Sequence, residues 1–398
     1  MDVYQGAVAA LLPYFVAERA YTYAAASGIV LAASLLSSVV QPLFGALTDR
    51  WAMPWLLPVS TLLAGAGVAL SGLGGSYGLT LGVVAVSGIG VAAHHPEAAR
   101  AARVAARGSH TAMGWFSLGG NLGFAAAPLL VAAVVATGGL RASPLLVLPA
   151  LAGAVLCAAA LRATALGDGA DATGGPGRTG APGPGCTPGS GDETDSGDEV
   201  DSRDETDSVD DAGRDDWASF ARLTGAIVCR SVVFVGLGGF VALYVPQRTA
   251  GGAAAGTAAL CVFYLGGAVG TVAGARLADR HGRIRVVQWS YALTVLAVAG
   301  VVLVPGPPLL LFVALTSAGL YVPFSLHITL GQDYLPGRVG TASGVTLGLA
   351  VSVGGVASPL IGTLADATSL RTAIAPLAVL PALGWLLLRT LREPAPPS

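Results

Sequence analysis

Lysine is absent: all 21 basic residues are arginine, and charged residues of both signs make up only 11% of the 398 positions. A soluble domain covers its surface with about 25–35% charged side chains, so so thin a supply excludes an ordinary water-facing globule. It also leaves no basic footprint for nucleic acid. Aromatic residues are scarce at 7%. The four cysteines give no disulfide framework, because Cys157, Cys229 and Cys261 fall in apolar runs and Cys186 in a hydrophilic stretch; all four read as free thiols. Catalytic signatures are missing too. There is no phosphate-binding glycine loop, no cluster with metal-ligand spacing and no nucleophile elbow, so neither an enzyme nor a metal or cofactor protein is expected. A cleavable leader, with its basic, apolar and small-residue parts in order, is not visible.

Apolar sequence is what the chain has in quantity. Hydrophobic residues make up 54%, with 56 glycines and a mean hydropathy of +0.69. Runs near the ~20 residues that cross a bilayer recur throughout, and glycine and alanine let helices approach closely where lipid gives no hydrophobic drive. The expected fold is an all-α integral membrane protein with spans near 2–17, 24–47, 55–75, 79–97, 112–137 and 143–163, then 219–246, 253–277, 286–304, 308–330, 341–364 and 371–389. That is twelve helices in two six-helix bundles. The first is short, rising about 24 Å against a core of about 30 Å, so helix one is expected to be truncated and translation to begin upstream of Met1.

Of the 23 acids, 15 lie between Asp168 and Asp216. This stretch opens Gly/Pro-rich and continues "DETDSGDEVDSRDETDSVDD", which cannot bury apolar surface. It lacks the glycine and terminal glutamate of an EF-hand loop and reads as a solvated hinge. The expected organisation is an N-terminal bundle over 1–164, an acidic disordered linker over 165–217, a C-terminal bundle over 218–391 and a short tail over 392–398. Arginine placement orients the chain. With linker and termini cytoplasmic, thirteen arginines fall in inner loops and helix ends, against Arg19, Arg141, Arg248 and Arg371 outside, a clear positive-inside bias for a multi-pass cell-membrane protein.

The loops after spans two and eight carry related sequences, "GALTDRWAMP" from Gly45 and "GARLADRHGRIR" from Gly274. Two copies at equivalent places mark an internal repeat of the six-helix unit. Its glycine suits tight helix approach, its aspartate can face a helix N-terminus, and its arginines can bridge to helix-end carboxylates.

At these residues the chain resembles the major facilitator superfamily, whose loop signature has the form Gly-x-Leu-Ala-Asp-Arg-x-Gly-Arg. Gly274, Asp279, Arg280, Gly282 and Arg283 follow it well; Gly45, Asp49 and Arg50 keep its first part. More narrowly the chain resembles the fosmidomycin resistance group of exporters, through Gln41, Pro42, Thr48, Pro54, Trp55 and Pro58, through the run His95, Pro96, Glu97 and Arg100, through the "GGNLG" of Gly119 to Gly123, and through "LPGRVG" from Leu335. Three departures stand out: His94 where that group has an aromatic, Ala127 in place of a glycine before Pro128, and a start inside helix one.

The resemblance implies a secondary transporter that alternates access to a midplane site between two pseudosymmetric halves. Proton-coupled efflux of a small molecule is expected, driven by the proton gradient and acting as a monomer in the lipid bilayer; import of a small organic anion is the other reading. It also implies a cytoplasmic gate, in which Glu97 ending span four and Asp333 ending span ten engage the loop arginines, with Arg100 and Arg338 nearby. The adjacent His94 and His95 do not suit a metal, because neighbours on a helix diverge by about 100°. His95 is compatible with proton carriage and equally with a helix-end histidine bonded to a carbonyl. Charges within spans are functional suspects by default: Arg230 for an anionic substrate and Asp2 as a proton-linked acid, or the two together as an ion pair between the halves. Gln5, Asn121, Tyr244 and His327 are further candidates for the substrate and proton path.

Overall fold

The computed structural model describes residues 1–51, 53–106, 110–172 and 215–394; the expected acidic linker lies mostly outside the described residues, and Cys186 with it. Among the described residues all regular structure is helical. In the first half these are α1 (Asp2–Arg19), α2 (Tyr23–Arg50), α3 (Leu56–Ser71), α4 (Tyr77–Ala106), α5 (His110–Gly138) and α6 (Leu148–Ala172). The second half has α7 (Trp217–Arg248), α8 (Gly252–His281), α9 (Arg283–Leu303), α10 (Leu309–Tyr334, broken at Val322 and Pro323), α11 (Val339–Ala367) and α12 (Leu370–Leu388, with a 3-10 turn inside). Eight described segments are long and apolar enough to cross a membrane by length and composition, and one of them, Leu118–Ala163, takes in most of both α5 and α6. Successive helices run in opposite directions, so one face holds the ends nearest the linker and the other is the far face.

Several helices outrun the apolar stretches that announced them. α4 continues to Ala106 and α6 to Ala172. Pro96 sits inside α4 without ending it, as neighbouring helices allow in a bundle. Glu97 is therefore well inside its helix rather than at its end. At the other side of the linker Asp216 caps α7, its carboxylate accepting from the backbone N–H of Ser219 at 2.9 Å; that hydrogen bonding holds its carboxyl below the usual carboxylate range.

The halves meet along α2 and α11, along α5 and α8, and where α1 approaches α7. One apolar cluster draws residues from both halves, from Leu12 and Phe15 of α1 to Phe240 of α7 and Ile361 of α11. A second, around Leu223, Ile227, Tyr291 and Leu330, belongs to the second half alone, at the linker face. The α2–α11 seam depends on missing side chains: a Cβ at Gly355 would stand 2.2 Å from Ser34 Oγ, and one at Gly362 would stand 2.5 Å from Ser27 Oγ.

Candidate functional site

Where the halves meet, they form a partly open cavity of about 110 Å³, against roughly 10–15 Å³ per water on such a measure. Its walls are strips of residues one helical turn apart: Tyr4, Gln5, Val8 and Ala9 on α1, Val30, Ala33, Ser34 and Ser37 on α2, Ser87, Gly88 and Val91 on α4, and Phe234, Val235, Gly238 and Gly239 on α7. Phe124 of α5 and Tyr264 of α8 complete it, their rings 5.2 Å apart across the interface. The lining has no charged side chain. Some of its polar groups are committed, Tyr4 donating to Leu146 O at 3.0 Å and Ser87 to Ala64 O at 2.9 Å. Gln5, Ser37 and Tyr264 make no side-chain hydrogen bond among the described residues. The cavity thus offers aromatic faces and a few free donors and acceptors, the usual make-up of a small-solute site.

One turn toward the linker face from Gln5 on α1 and from Val91 on α4 stand Asp2 and His95. The structure brings them together, His95 Nε2 lying 3.8 Å from Asp2 Oδ1 with both side chains partly exposed. Across from them α5 presents its glycines: a Cβ at Gly120 would come within 3.0 Å of Asp2 Oδ2, so the "GGN" element makes room for this carboxylate. His94 turns the other way, its Nδ1 3.2 Å from the Ser60 hydroxyl. Asn121 is half-buried on α5 and does not line the cavity.

Near the linker face the gate candidates pair within halves. Glu97 is fully buried and accepts from Arg100 in a two-pronged pair, Nε to Oε2 at 3.0 Å; it does not reach Arg50 or the second-half arginines. Asp333 pairs with Arg283 at 2.5 Å, and Arg283 also reaches Glu393 at 2.8 Å. Arg338 stands 3.5 Å from Asp215 and over the Trp217 ring. Arg50 stacks on Trp51. Asp279 and Arg280 are exposed and without an ion pair among the described residues, and the side chain of Asp49 lies outside the description. Gly282 turns the chain at φ +83, where a side chain would be strained.

The two repeat glycines differ. A Cβ at Gly274 would meet the Val322 carbonyl oxygen at 2.4 Å, so glycine permits the contact of α8 with α10, whereas at Gly45 nothing stands within 4 Å. Tight helix approach, expected at both, occurs only at Gly274.

Other candidates lie away from the cavity. Tyr244 is buried toward the far face and donates to Val301 O at 3.2 Å, tying α7 to α9. Arg230 and His327 are buried inside the second half, 4% and 2% exposed. Arg230 forms no ion pair with Asp2; its Nη1 donates to Leu320 O at 3.1 Å and its guanidinium lies 5.4 Å from the Phe324 ring centre.

Three hydrogen bonds join the halves at the far face, and sequence reasoning missed them. Asp366, near the end of α11, accepts from the backbone N–H groups of Tyr23 and Ala24 at the start of α2, both at 2.8 Å. Gln247 of α7 donates to the Tyr23 hydroxyl at 3.1 Å. A signal was available: outside the acidic segment the chain has only eight acids, and each is conspicuous. Asp366 and Glu393 were the ones left unread with Glu18, whose carboxylate accepts from Leu140 N at 3.0 Å.

Comparison with known proteins agrees with this architecture. The Major Facilitator Superfamily profile matches residues 3–359. The fosmidomycin resistance protein of Escherichia coli (strain K12) is 28% identical over 97% of this chain and 88% of its own length. The uncharacterized MFS-type transporter YfnC of Bacillus subtilis (strain 168) is 30% identical with the same coverages. Among solved structures, the nucleoside transporter NupG superposes with a TM-score of 0.72 at 11% identity, covering 98% of this chain and 96% of that one. A bacterial homologue of the lysosomal transporter Spinster, in an inward-facing and occupied conformation, gives 0.68 at 14% identity, covering 99% and 97%. With twelve helices among the described residues, in two halves around a central cavity, and a profile match over most of its length, the chain belongs to the Major Facilitator Superfamily, a family of membrane transporters and not of enzymes.

Proposed function

We propose that this protein exports a small molecule across the cell membrane in exchange for protons. The observation that carries the reading is the Asp2–His95 pair, 3.8 Å apart and partly exposed one turn from the cavity. An imidazole beside a carboxylate can hold a proton as a charge pair and give it up when the two part. Substrate in the cavity and proton on the pair then compete through the same first-half helices, α1 and α4, which is the requirement for exchange. The arginine bias argues that the linker face and both termini are cytoplasmic. On that orientation the far-face hydrogen bonds close the outside and the cavity is served from the cytoplasm. The acidic segment acts as a tether between the halves, so an equally long neutral flexible replacement of 174–211 leaves flux unchanged.

The test is flux in everted vesicles with an imposed pH gradient, over a solute panel that begins with fosmidomycin because of the relative's name. Asp2→Asn and His95→Gln are expected to abolish gradient-driven flux and spare exchange between equal pools. Gradient-driven flux at the native level in both variants would remove the pair from coupling. Import of a small organic anion is the second reading, favoured by the buried Arg230; uptake rather than expulsion under the same gradient would select it.

A further inference from the structure

Arg230 presents an electrostatic problem that the protein by itself leaves open. Its guanidinium is buried in the second half among α7, α9 and α10, and among the described residues no carboxylate stands within ion-pair distance. One carbonyl, Leu320 O, and one ring, Phe324, are its contacts, and its Nε has no partner. A buried cation is ordinarily paired. Beside it His327, whose ring packs 5.8 Å from Tyr291, is buried with neither ring nitrogen bonded. These are unsatisfied polar atoms on two neighbouring helices, α7 and α10, buried in the same half, and they share a need. Water would supply hydrogen bonds but leave the positive charge uncompensated; an anion supplies both.

Arg230 stands close behind the cavity wall. Phe234 lies one turn from Arg230 on α7, lines the cavity, and packs edge-on against Tyr321 of α10 at 5.3 Å. The Phe234–Tyr321 pair is therefore the partition between an aromatic, uncharged cavity and an unpaired cation behind it.

We infer that Arg230 and His327 form the binding site for the acidic group of the transported solute, which is a small organic acid whose apolar body rests against Phe234, Phe124 and Tyr264. Arg230 forks onto two oxygens of a carboxylate or phosphonate, His327 donates to the same group, and the aromatic pair swings aside to admit it. The inference rests on the cavity being the transport path.

The probes are benzoate and methylphosphonate, with benzamide as neutral isostere of the first and chloride as inorganic control, at constant pH and ionic strength. Thermal unfolding of the purified full chain in detergent is the readout. An oxyanion is expected to raise Tm saturably while benzamide and chloride do not, Arg230→Lys to weaken the apparent affinity about ten-fold or more, and Arg230→Gln and His327→Gln to remove or strongly weaken the shift. Benzamide matching benzoate, no shift with either oxyanion, a native shift in His327→Gln, or chloride giving the same saturating shift would each overturn the proposal. The isostere comparison and the His327 variant keep it testable if Arg230→Gln does not fold. Gradient-driven flux of neutral solutes alone would refute the acid site and leave the carrier reading standing. Oxyanion binding without gradient-driven flux of any solute would do the reverse.

Discussion

Breaking the far-face closure should be possible with one atom. Asp366→Asn keeps the shape of the side chain but removes its charge and one of the two acceptors that hold the α2 backbone N–H groups of Tyr23 and Ala24 at 2.8 Å. Because Asp366 is exposed, the lost bond is taken near the lower end of the range, about 0.5–1.5 kcal/mol. The lost attraction between a carboxylate and a helix N-terminus adds about 0.3–1 kcal/mol. A total near 1–2 kcal/mol shifts the balance toward the far-open state by roughly 5–30-fold.

The assay uses a cysteine at Val30, which lines the cavity from α2, in a chain whose own four cysteines are replaced. A membrane-impermeant maleimide added from the far face reaches it only when that face opens, and labelling should speed up several-fold in Asp366→Asn. Asp366→Ala, which loses both acceptors, should exceed it. Labelling and turnover both at the native level in the two variants would refute the latch.

Gly274→Ala should cost about 1–3 kcal/mol, since its methyl must displace the Val322 backbone, while Gly45→Ala, facing open space, should stay within about 0.5 kcal/mol; thermal unfolding of both variants decides, and equal losses would contradict the asymmetry. Glu97→Gln removes the carboxylate that holds Arg100 within α4; a gate in which Glu97 also engages the loop arginines in another state predicts a folded protein that cycles about ten-fold more slowly, and native turnover together with native probe accessibility would eliminate that role. Asp216→Ala should loosen the start of α7 by about 1 kcal/mol, read as faster hydrogen exchange of its first turn. Because the Asp216 carboxyl is held low, the cap is complete at pH well above the ordinary value of about 3.9 and fades as the pH falls through its lowered folded value, so the difference between native and variant should vanish in strong acid.

Membrane residence, helix count and the two-half plan were legible in the sequence, because a bilayer imposes its length and polarity on every span independently of the neighbours. The repeat of "GALTDR" and "GARLADR" carried the symmetry, and the "HPE" and "GGN" elements carried the family. Helix ends were less legible: α4 and α6 run on past their apolar stretches, because once packed a helix continues into polar sequence until something stops it. Partnership was the part that only the tertiary structure decided. Asp2 and His95 are 93 positions apart in the chain, and their meeting follows from how α1 crosses α4. Gly45 and Gly274 look equivalent in sequence and differ only in whether a neighbouring backbone arrives. Arg230 read as a cavity residue from its depth in a span, yet depth fixes only the distance along the bilayer normal. The direction a side chain takes around its helix axis, toward cavity, neighbour or lipid, is set by the rotation each helix adopts in packing. That rotation put Arg230 behind the Phe234–Tyr321 partition and Asp366 against the first turn of α2.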